Sequence, residues 1–246
     1  MGFGGSDFVI RQKIGVWGEK TFLAHFCAHG EYGISAFEYG EASSKRRKAQ
    51  GDAVCRPDLL LVDSDKVKAL AQRGIHLDKM DLRAISDNHL DMQEIVKEAL
   101  VAVEVKFSHR EYRKGHVSFI LDESRKARYE QWLSRTRGIG ALMVWLTTDR
   151  AWIASVDQVL REGKEEIRTY EMRGGAGREK ATWNFPVESA KPFATVTGYV
   201  LNKTFKPSLK MTESGRIQFD VNDDLGDFVD VDIPLLRQMA QAVRRP

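Results

Sequence analysis

Residues 101–107 read Val-Ala-Val-Glu-Val-Lys-Phe, and the other elements of the chain can be arranged around this segment. The nearly unbroken run of apolar and β-branched residues predicts a buried strand. Because side chains two positions apart in a strand point the same way, Glu104 and Lys106 share one face of this strand, and valine and phenylalanine side chains fill the other. A buried carboxylate and a buried ammonium are costly unless they are paired or bind something. The segment therefore indicates a site.

A second apolar run, at residues 59–62, is preceded by an Arg-Pro-Asp string that ends at Asp58. Proline lacks an amide donor and is tolerated at the start of a strand, so Asp58 would open this strand. If the two strands are neighbours, Asp58 comes close to Glu104. Two such carboxylates beside Lys106 can hold a hard divalent cation such as Mg²⁺, while the lysine steadies an attacking water or the charge of a phosphate.

Two short motifs, Pro57-Asp58 and Glu104-Val105-Lys106, resemble the signature of the PD-(D/E)XK nuclease superfamily, which has the restriction-endonuclease-like fold. The resemblance implies an α/β protein whose mixed central sheet is flanked by helices. It also implies a Mg²⁺-dependent phosphodiesterase in which Asp58 and Glu104 bind the metal and Lys106 is the catalytic lysine. Mn²⁺ is expected to substitute for Mg²⁺.

A helical pattern over about residues 9–27 carries an acid on its apolar face. Glu19 shares that face with Phe22 and Phe26, which follow it at helical spacing. In many members of the superfamily an N-terminal helix supplies a further acidic residue to the metal site, and Gly18-Glu19 resembles that element. The resemblance therefore adds Glu19 to the catalytic and metal-binding residues. The alternative is a residue at the edge of the apolar stripe that reaches water.

A second helix is expected from about Asp122, as its N-cap, to Arg137. Its packing stripe is expected to consist of Tyr129, Trp132, Leu133 and Thr136. In resolvase-like branches of the superfamily a glutamine on the helix after the catalytic strand lies near the site. Gln131 is similar to that residue and is a catalytic candidate; the alternative is an exposed polar residue.

Three groups of cations are candidates for contacts with a DNA backbone. One lies in a loop before Asp58, one follows the catalytic strand, and one lies on the helix that carries Gln131. The candidate residues are Lys45, Arg46, Arg47, Lys48, Arg110, Arg113, Lys114, Arg128 and Arg135. Lysine and arginine contacts to phosphates supply a large part of the affinity for DNA. The alternative for each group is a solvated surface.

The nuclease core is expected over residues 8–160, with a helical insertion at about 64–100 between the two motif strands. Two further strands, at 141–147 and 151–155, follow the second helix and complete the mixed sheet. Residues 161–246 are expected to form a β-rich C-terminal extension, either separate or part of the same domain. Its main signals are strands at 193–201 and 216–221 and a helix at 234–243.

The 246-residue chain has an ordinary globular composition, with 42% hydrophobic and 30% charged residues and a net charge of +3. So small a charge neither demands nor excludes a nucleic-acid partner. The two cysteines, Cys27 and Cys55, lack the CxxC spacing of a thiolate zinc site. No apolar run is as long as a membrane span, and the Gly-rich start lacks the apolar centre of a signal peptide. We therefore expect an intracellular, cytoplasmic protein without membrane contact.

Two other motifs lack residues that a binding site of their kind needs. The glycine-rich string at 174–177 lacks the Gly-Lys-Ser/Thr ending of a phosphate-binding loop, so no nucleotide cofactor is expected. The cluster of His25, Cys27 and His29 has no second cluster that would complete a zinc site.

The expected function is that of a Mg²⁺-dependent DNA endonuclease, and the first choice is a type II restriction endonuclease that acts as a homodimer on double-stranded DNA. A structure-specific nuclease, either a Holliday junction resolvase or a repair nuclease, is the alternative that Gln131 favours. A non-catalytic DNA-binding module is the alternative from another class. It is disfavoured because degenerate members of the superfamily usually lose an acid or the lysine, whereas Asp58, Glu104 and Lys106 are all present.

Overall fold

The computed structural model describes residues 18–40, 56–107, 116–120, 123–136, 138–146, 150–171, 177–197, 208–211, 217–220 and 227–244. The helices are α1 (residues 18–28), α2 (Ser64–Gln72), α3 (Leu90–Glu98), α4 (Glu123–Arg135), α5 (Val156–Glu162) and α6 (Ile233–Val243). The strands are β1 (Ile34–Glu38), β2 (Leu59–Asp63), β3 (Val101–Phe107), β4 (His116–Ile120), β5 (Ala141–Leu146), β6 (Arg150–Ser155), β7 (Lys164–Glu171), β8 (Gly177–Pro186), β9 (Lys191–Thr197), β10 (Ser208–Met211), β11 (Ile217–Asp220) and β12 (Asp227–Val229). Within these ranges, no helix is both long and apolar enough to cross a membrane.

Seven of the described strands form one mixed sheet, in the order β1-β2-β3-β5-β6-β9-β12. Strand β3, which carries Glu104 and Lys106, lies inside this sheet, antiparallel to β2 and parallel to β5. The other neighbouring strands are antiparallel. The expected mixed central sheet flanked by helices is therefore confirmed. Strands β9 and β12, from the C-terminal part of the chain, belong to the same sheet.

Helices cover both faces of the sheet. On one face, α1 and α6 pack on the valines of β3 through side chains such as Phe22 and Leu236. On the other face, α2, α3, α4 and α5 pack around the fully buried Trp132. Because side chains alternate along a strand, Glu104 and Lys106 point towards this second layer. The motif residues of β3 thus lie on the face that the insertion and α4 cover.

The insertion between β2 and β3 contributes buried side chains to the core. Leu70 of α2 and Met92 of α3 are fully buried. Leu77 and Leu82, each in a short 3-10 turn, pack with them in the same layer. Full burial of one such side chain stabilises the fold by about 1.5–3 kcal/mol. The predicted helical insertion at 64–100 is an integral part of the layer that covers the motif face.

A smaller three-stranded sheet, in the order β4-β8-β7, packs on the same layer through Trp183 and Phe185. Phe185 stacks on Trp145 of β5, with ring centroids 5.5 Å apart. Gly163 lies directly against the Trp183 indole, whose N–H donates to the carbonyl of Val159 at 2.8 Å. Strand β4 is therefore tied to the core through β8, although it follows β3 in the sequence.

Several elements differ from the sequence expectations. Strand β4, helix α5 and strand β7 are elements that the sequence pattern does not predict. Strand β6 begins at Arg150, one residue before the predicted start, and Gly177, the last residue of the glycine-rich string, begins β8. The alternation of apolar and polar residues does not predict β7, because its residues 164–167 are exposed and mostly charged. Its pairing with β8 supplies the strand conformation.

Candidate active site

Glu104 and Lys106 lie side by side near the carboxyl end of β3. Val103 and Val105 are buried in the layer on the opposite face. Only 4% of the Glu104 side chain and 28% of the Lys106 side chain is exposed. This is the placement that the alternation of the sequence predicts.

Asp58 immediately precedes β2 and reaches β3 with its side chain. The backbone pairing of β2 with β3 ends where Leu59 lies opposite Val103. Beyond that point the N–H of Val105 needs another acceptor, because buried backbone donors are almost always paired. Asp58 Oδ2 accepts this hydrogen bond at 2.8 Å. The carboxylate thus replaces the next step of the strand ladder and is fixed beside Glu104. We call Asp58, Glu104 and Lys106 the acid–lysine site.

Lys106 lies between the two carboxylates of the acid–lysine site. Its Nζ forms an ion pair with Glu104 Oε1 and lies 4.0 Å from Asp58 Oδ2. Although burial disfavours the charged ammonium, the carboxylates of Glu104 and Asp58 raise the pKa of Lys106 above its usual value. The lysine is therefore protonated at neutral pH and brings a positive charge between the two carboxylates.

Asp58 lies in an environment that disfavours its ionised form. Burial and the neighbouring Glu104 carboxylate raise the pKa of Asp58 well above its usual value, and the charge of Lys106 only partly opposes this. Two desolvated carboxylates that repel each other favour a bound proton or a bound cation. A cation bound between the two carboxylates would offset their repulsion and lower the pKa of Asp58 again.

Helix α1 packs closely on β3 and β5 because residue 18 is a glycine. A Cβ at Gly18 would lie 2.9 Å from Leu146 Cδ1 and 3.7 Å from Val105 Cγ1. At 2.9 Å from Leu146 Cδ1, a side chain at residue 18 would fit only if Leu146 moved. The glycine thus lets the helix approach the sheet at the carboxyl end of β3, and the next residue is Glu19.

Glu19 is within electrostatic reach of the acid–lysine site. Burial raises the pKa of Glu19 to about 7, although the charge of Lys106 opposes this increase. The carboxylates of Glu104 and Glu38 add to it. Glu19 shares the face of α1 that carries the buried Phe22, as the helical spacing predicts.

One oxygen of Glu104 has no partner among the described residues. Oε2 is buried and makes no hydrogen bond, whereas Oε1 pairs with Lys106. A buried acceptor left unsatisfied costs about 1–3 kcal/mol, so such an atom calls for a ligand or a chemical role. With the Asp58 carboxylate beside it, this donor set fits Mg²⁺, which proteins commonly bind through one or two carboxylates together with water and substrate phosphates.

Glu19 does not complete a three-ligand cluster. Across the ranges that the structure describes, no group of three or more His, Cys, Asp or Glu side chains is arranged to hold a metal ion. Of the three ligands predicted from the sequence, the structure brings Asp58 and Glu104 together, and Glu19 approaches them only electrostatically.

Glu38 is a further acid near the site that sequence analysis does not single out. It ends β1, lies opposite Leu59 in the sheet and contributes to the raised pKa of Glu19. Its Oε2 forms an ion pair with Arg83 of the insertion at 2.7 Å. Its one sequence signal is an acid at the end of a strand. That signal becomes informative only when β1 is known to lie beside β2.

The remaining predicted residues lie at the surface or outside the described residues. Gln131 and Arg135 are exposed on α4. The buried stripe of this helix consists, as predicted, of Tyr129, Trp132, Leu133 and Thr136. The side chain of Arg128 and the cations at 45–48 and 110–114 lie outside the part of the chain that the structure describes. Their contacts with DNA stay predictions.

No family model, curated protein or solved structure matches the chain. A functional proposal therefore rests on the geometry of the acid–lysine site and on the two motifs that supply it. Both lead to the same three side chains.

Proposed function

We propose that the protein is a Mg²⁺-dependent DNA endonuclease that hydrolyses phosphodiester bonds at the acid–lysine site. The observation that carries this proposal is that Glu104 Oε2, buried beside Asp58 and Lys106, has no hydrogen-bond partner among the described residues. An ion pair that serves only stability needs its remaining hydrogen-bonding positions satisfied, because the desolvation of two charges is otherwise not compensated. Among the described residues, Glu104 Oε2 has no such partner. The Asp58 carboxylate and the Lys106 ammonium lie on the same face of the sheet.

The three side chains have separate roles in this proposal. Asp58 and Glu104 would hold the cation, and a bound Mg²⁺ polarises a phosphate oxygen and lowers the pKa of a coordinated water. Lys106, kept charged by its carboxylate neighbours, stabilises the negative charge that develops on the phosphate or orients the attacking water. Asp58 is held by the backbone N–H of Val105, so its carboxylate is already oriented before substrate arrives.

The fold supports the same proposal. The resemblance implies a mixed central sheet flanked by helices, and β3 has an antiparallel neighbour on one side and a parallel neighbour on the other. Helix α4 lies in the crossover between the parallel strands β3 and β5, as such a connection requires. The Pro-Asp motif and the Glu-Val-Lys motif reach the site from adjacent strands.

Within this proposal, sequence-specific cleavage of double-stranded DNA is the first expectation. A restriction-type enzyme acts as a homodimer, because cutting both strands of a palindrome takes two sites related by two-fold symmetry. It gives a discrete ladder of fragments from a long phage DNA in Mg²⁺. A repair nuclease gives a smear or a nick instead. A junction resolvase leaves linear duplex intact and cuts a synthetic four-way junction. This result would contradict the restriction-enzyme hypothesis and support the resolvase alternative.

Cleavage of plasmid and phage DNA by the purified protein, in Mg²⁺ and in EDTA, tests the proposal. Asp58→Ala, Glu104→Ala and Lys106→Ala are each expected to lower the cleavage rate by about 10²-fold or more, with an unchanged circular dichroism spectrum. Glu94→Gln is the matched control, because Glu94 forms a half-exposed ion pair with Arg73 outside the acid–lysine site. Full activity in any of the three alanine variants, or equal cleavage in EDTA, contradicts the proposal.

A further inference from the structure

Arg56 lies two residues before Asp58 and is anchored by the insertion. Its Nη2 forms an ion pair with Asp87 Oδ1 at 2.7 Å, and only 11% of the Arg56 side chain is exposed. The guanidinium also donates to the carbonyls of Leu82 at 2.9 Å and Ile85 at 2.6 Å. All three partners belong to the insertion between β2 and β3. Arg56 is therefore held by the 82–87 segment of the insertion, and not by the strand that it precedes.

Tyr39 lies beneath this guanidinium. The Arg56 Cζ is 5.0 Å from the centroid of the Tyr39 ring, within the range of a cation–π contact. Tyr39 is fully buried. Its hydroxyl donates to Asp87 Oδ1 at 3.5 Å and accepts from Trp132 Nε1 at 3.3 Å. The Arg56–Asp87 pair thus contacts Tyr39, which a hydrogen bond from Trp132 holds in the core, and this limits the freedom of the pair to move.

The backbone that follows β1 packs against the backbone that carries Asp58. The N–H groups of Tyr39 and Gly40 both donate to the Asp58 carbonyl, at 2.9 and 3.1 Å. A Cβ at Gly40 would lie 2.5 Å from the carbonyl oxygen of Pro57 and 2.8 Å from that of Arg56. Only glycine permits so close an approach, and proline fixes one backbone angle at the adjacent position. The main chain around Asp58 is therefore held by the insertion, through Arg56, and by the residues that follow β1, through the Asp58 carbonyl.

The location of the Arg56–Asp87 pair gives it a role beyond stability. Buried ion pairs are often no more stabilising than apolar residues of the same volume, so stability alone does not account for this one. Groups that orient metal-binding carboxylates are different, because their loss typically lowers metal affinity or activity by about 10–100-fold. We propose that Arg56 and Asp87 are positioning residues that fix the Asp58 carboxylate, so that the insertion sets the metal affinity of the acid–lysine site. This inference rests on the proposed function.

Arg56→Lys and Asp87→Asn test the positioning role. Lysine keeps the positive charge but lacks the planar fork that reaches three acceptors, and asparagine keeps the shape of aspartate without its charge. For each variant we expect the Mg²⁺ concentration at half-maximal cleavage to rise about 10-fold, with an unchanged KM for DNA. Additional Mg²⁺ should restore most of the rate. Arg73→Lys is the matched control, because Arg73 bridges Glu94 and Glu98 within the same insertion.

Calorimetric titration with Mn²⁺ in the absence of DNA gives a readout that is independent of cleavage. We expect binding to weaken about 10-fold in Arg56→Lys and Asp87→Asn and to stay unchanged in Arg73→Lys. If the wild type binds Mn²⁺ and cleaves DNA while both variants keep wild-type midpoints, the positioning inference is wrong and the proposed function stands. If the wild type neither binds Mn²⁺ nor cleaves DNA, both fail. Unfolding of both variants, seen by circular dichroism, would also overturn the inference, because Arg56 would then serve folding first.

Discussion

Replacing Glu19 with glutamine tests the electrostatics of the site without any substrate. Burial raises the pKa of Glu19 in the folded protein to about 7, compared with 4.5 for the same group in water. The folded protein therefore holds this proton more tightly than the unfolded chain does. Between the two pKa values the unfolded chain has lost the proton and the folded protein has kept it. Stability is thus lost as the pH rises through this window and changes no further above it.

The size of the effect follows from the change in pKa. At about 1.4 kcal/mol for each pH unit, an increase from 4.5 to about 7 lowers the free energy of unfolding by about 3 kcal/mol above the window. Glutamine has nearly the shape of glutamate and no charge, so Glu19→Gln removes this penalty. We expect the variant to be more stable than the wild type by about 1–3 kcal/mol at slightly alkaline pH. At acidic pH, where Glu19 is protonated in both states, the two proteins should be nearly equal.

Urea unfolding followed by circular dichroism, at about pH 4 and about pH 8, measures this difference. EDTA is present because a bound cation would ionise Glu19. Subtracting the wild-type value from that of the variant at each pH cancels the contributions of titrating groups that do not interact with Glu19. In the control variant Glu94→Gln, a half-exposed ion pair with Arg73 is lost, and the difference from the wild type should stay within about 1 kcal/mol at both pH values. A Glu19→Gln variant that is less stable than the wild type at alkaline pH would refute the reasoning, since Lys106 would then stabilise an ionised Glu19.

Two glycine substitutions test close approaches in the fold. Gly40→Ala would place a Cβ 2.5 Å from the Pro57 carbonyl oxygen, so it should displace Asp58 and lower cleavage about 10-fold or more at a temperature where the variant is folded. Gly30→Ala, which meets no atom within 4 Å, is its control, and a wild-type rate in Gly40→Ala would contradict the account of the backbone. Gly163→Ala would drive a Cβ into the Trp183 indole and should lower the free energy of unfolding in urea by about 1–3 kcal/mol, without changing the cleavage rate of the folded protein. Unchanged stability would show that the indole can move aside.

The acid–lysine site follows from local rules, and for this reason the sequence predicts its geometry. Alternation within residues 101–107 places Glu104 and Lys106 on one face, and the structure has them there. The Pro-Asp string before an apolar run places Asp58 immediately before a strand, and that strand, β2, is the neighbour of β3. The buried stripe of α4 and the helix at Ile233–Val243 follow from helical periodicity in the same way.

The contacts that support the site depend on long-range packing, and no periodicity encodes them. Arg56 gives no sign in the sequence that its partners are Asp87 and two carbonyls about 30 residues away. Glu38 becomes part of the surroundings only because β1 pairs with β2. Strands β4 and β7 owe their conformation to β8, which lies between them in the smaller sheet. Strand propensity reflects such neighbours more than the residues of the strand itself.

The charges around Lys106 favour the binding of a cation. The carboxylates of Glu19, Asp58 and Glu104 all act on this one ammonium. If all four groups were charged, two negative charges would be left over in a region that water reaches poorly, which is costly. Burial, together with this excess of negative charge, raises the pKa values of Asp58 and Glu19. A proton bound to such a carboxylate competes with a divalent cation, so binding of the proposed cation would release protons. The burial and repulsion that disfavour an isolated Asp58 anion would therefore favour a divalent cation between Asp58 and Glu104.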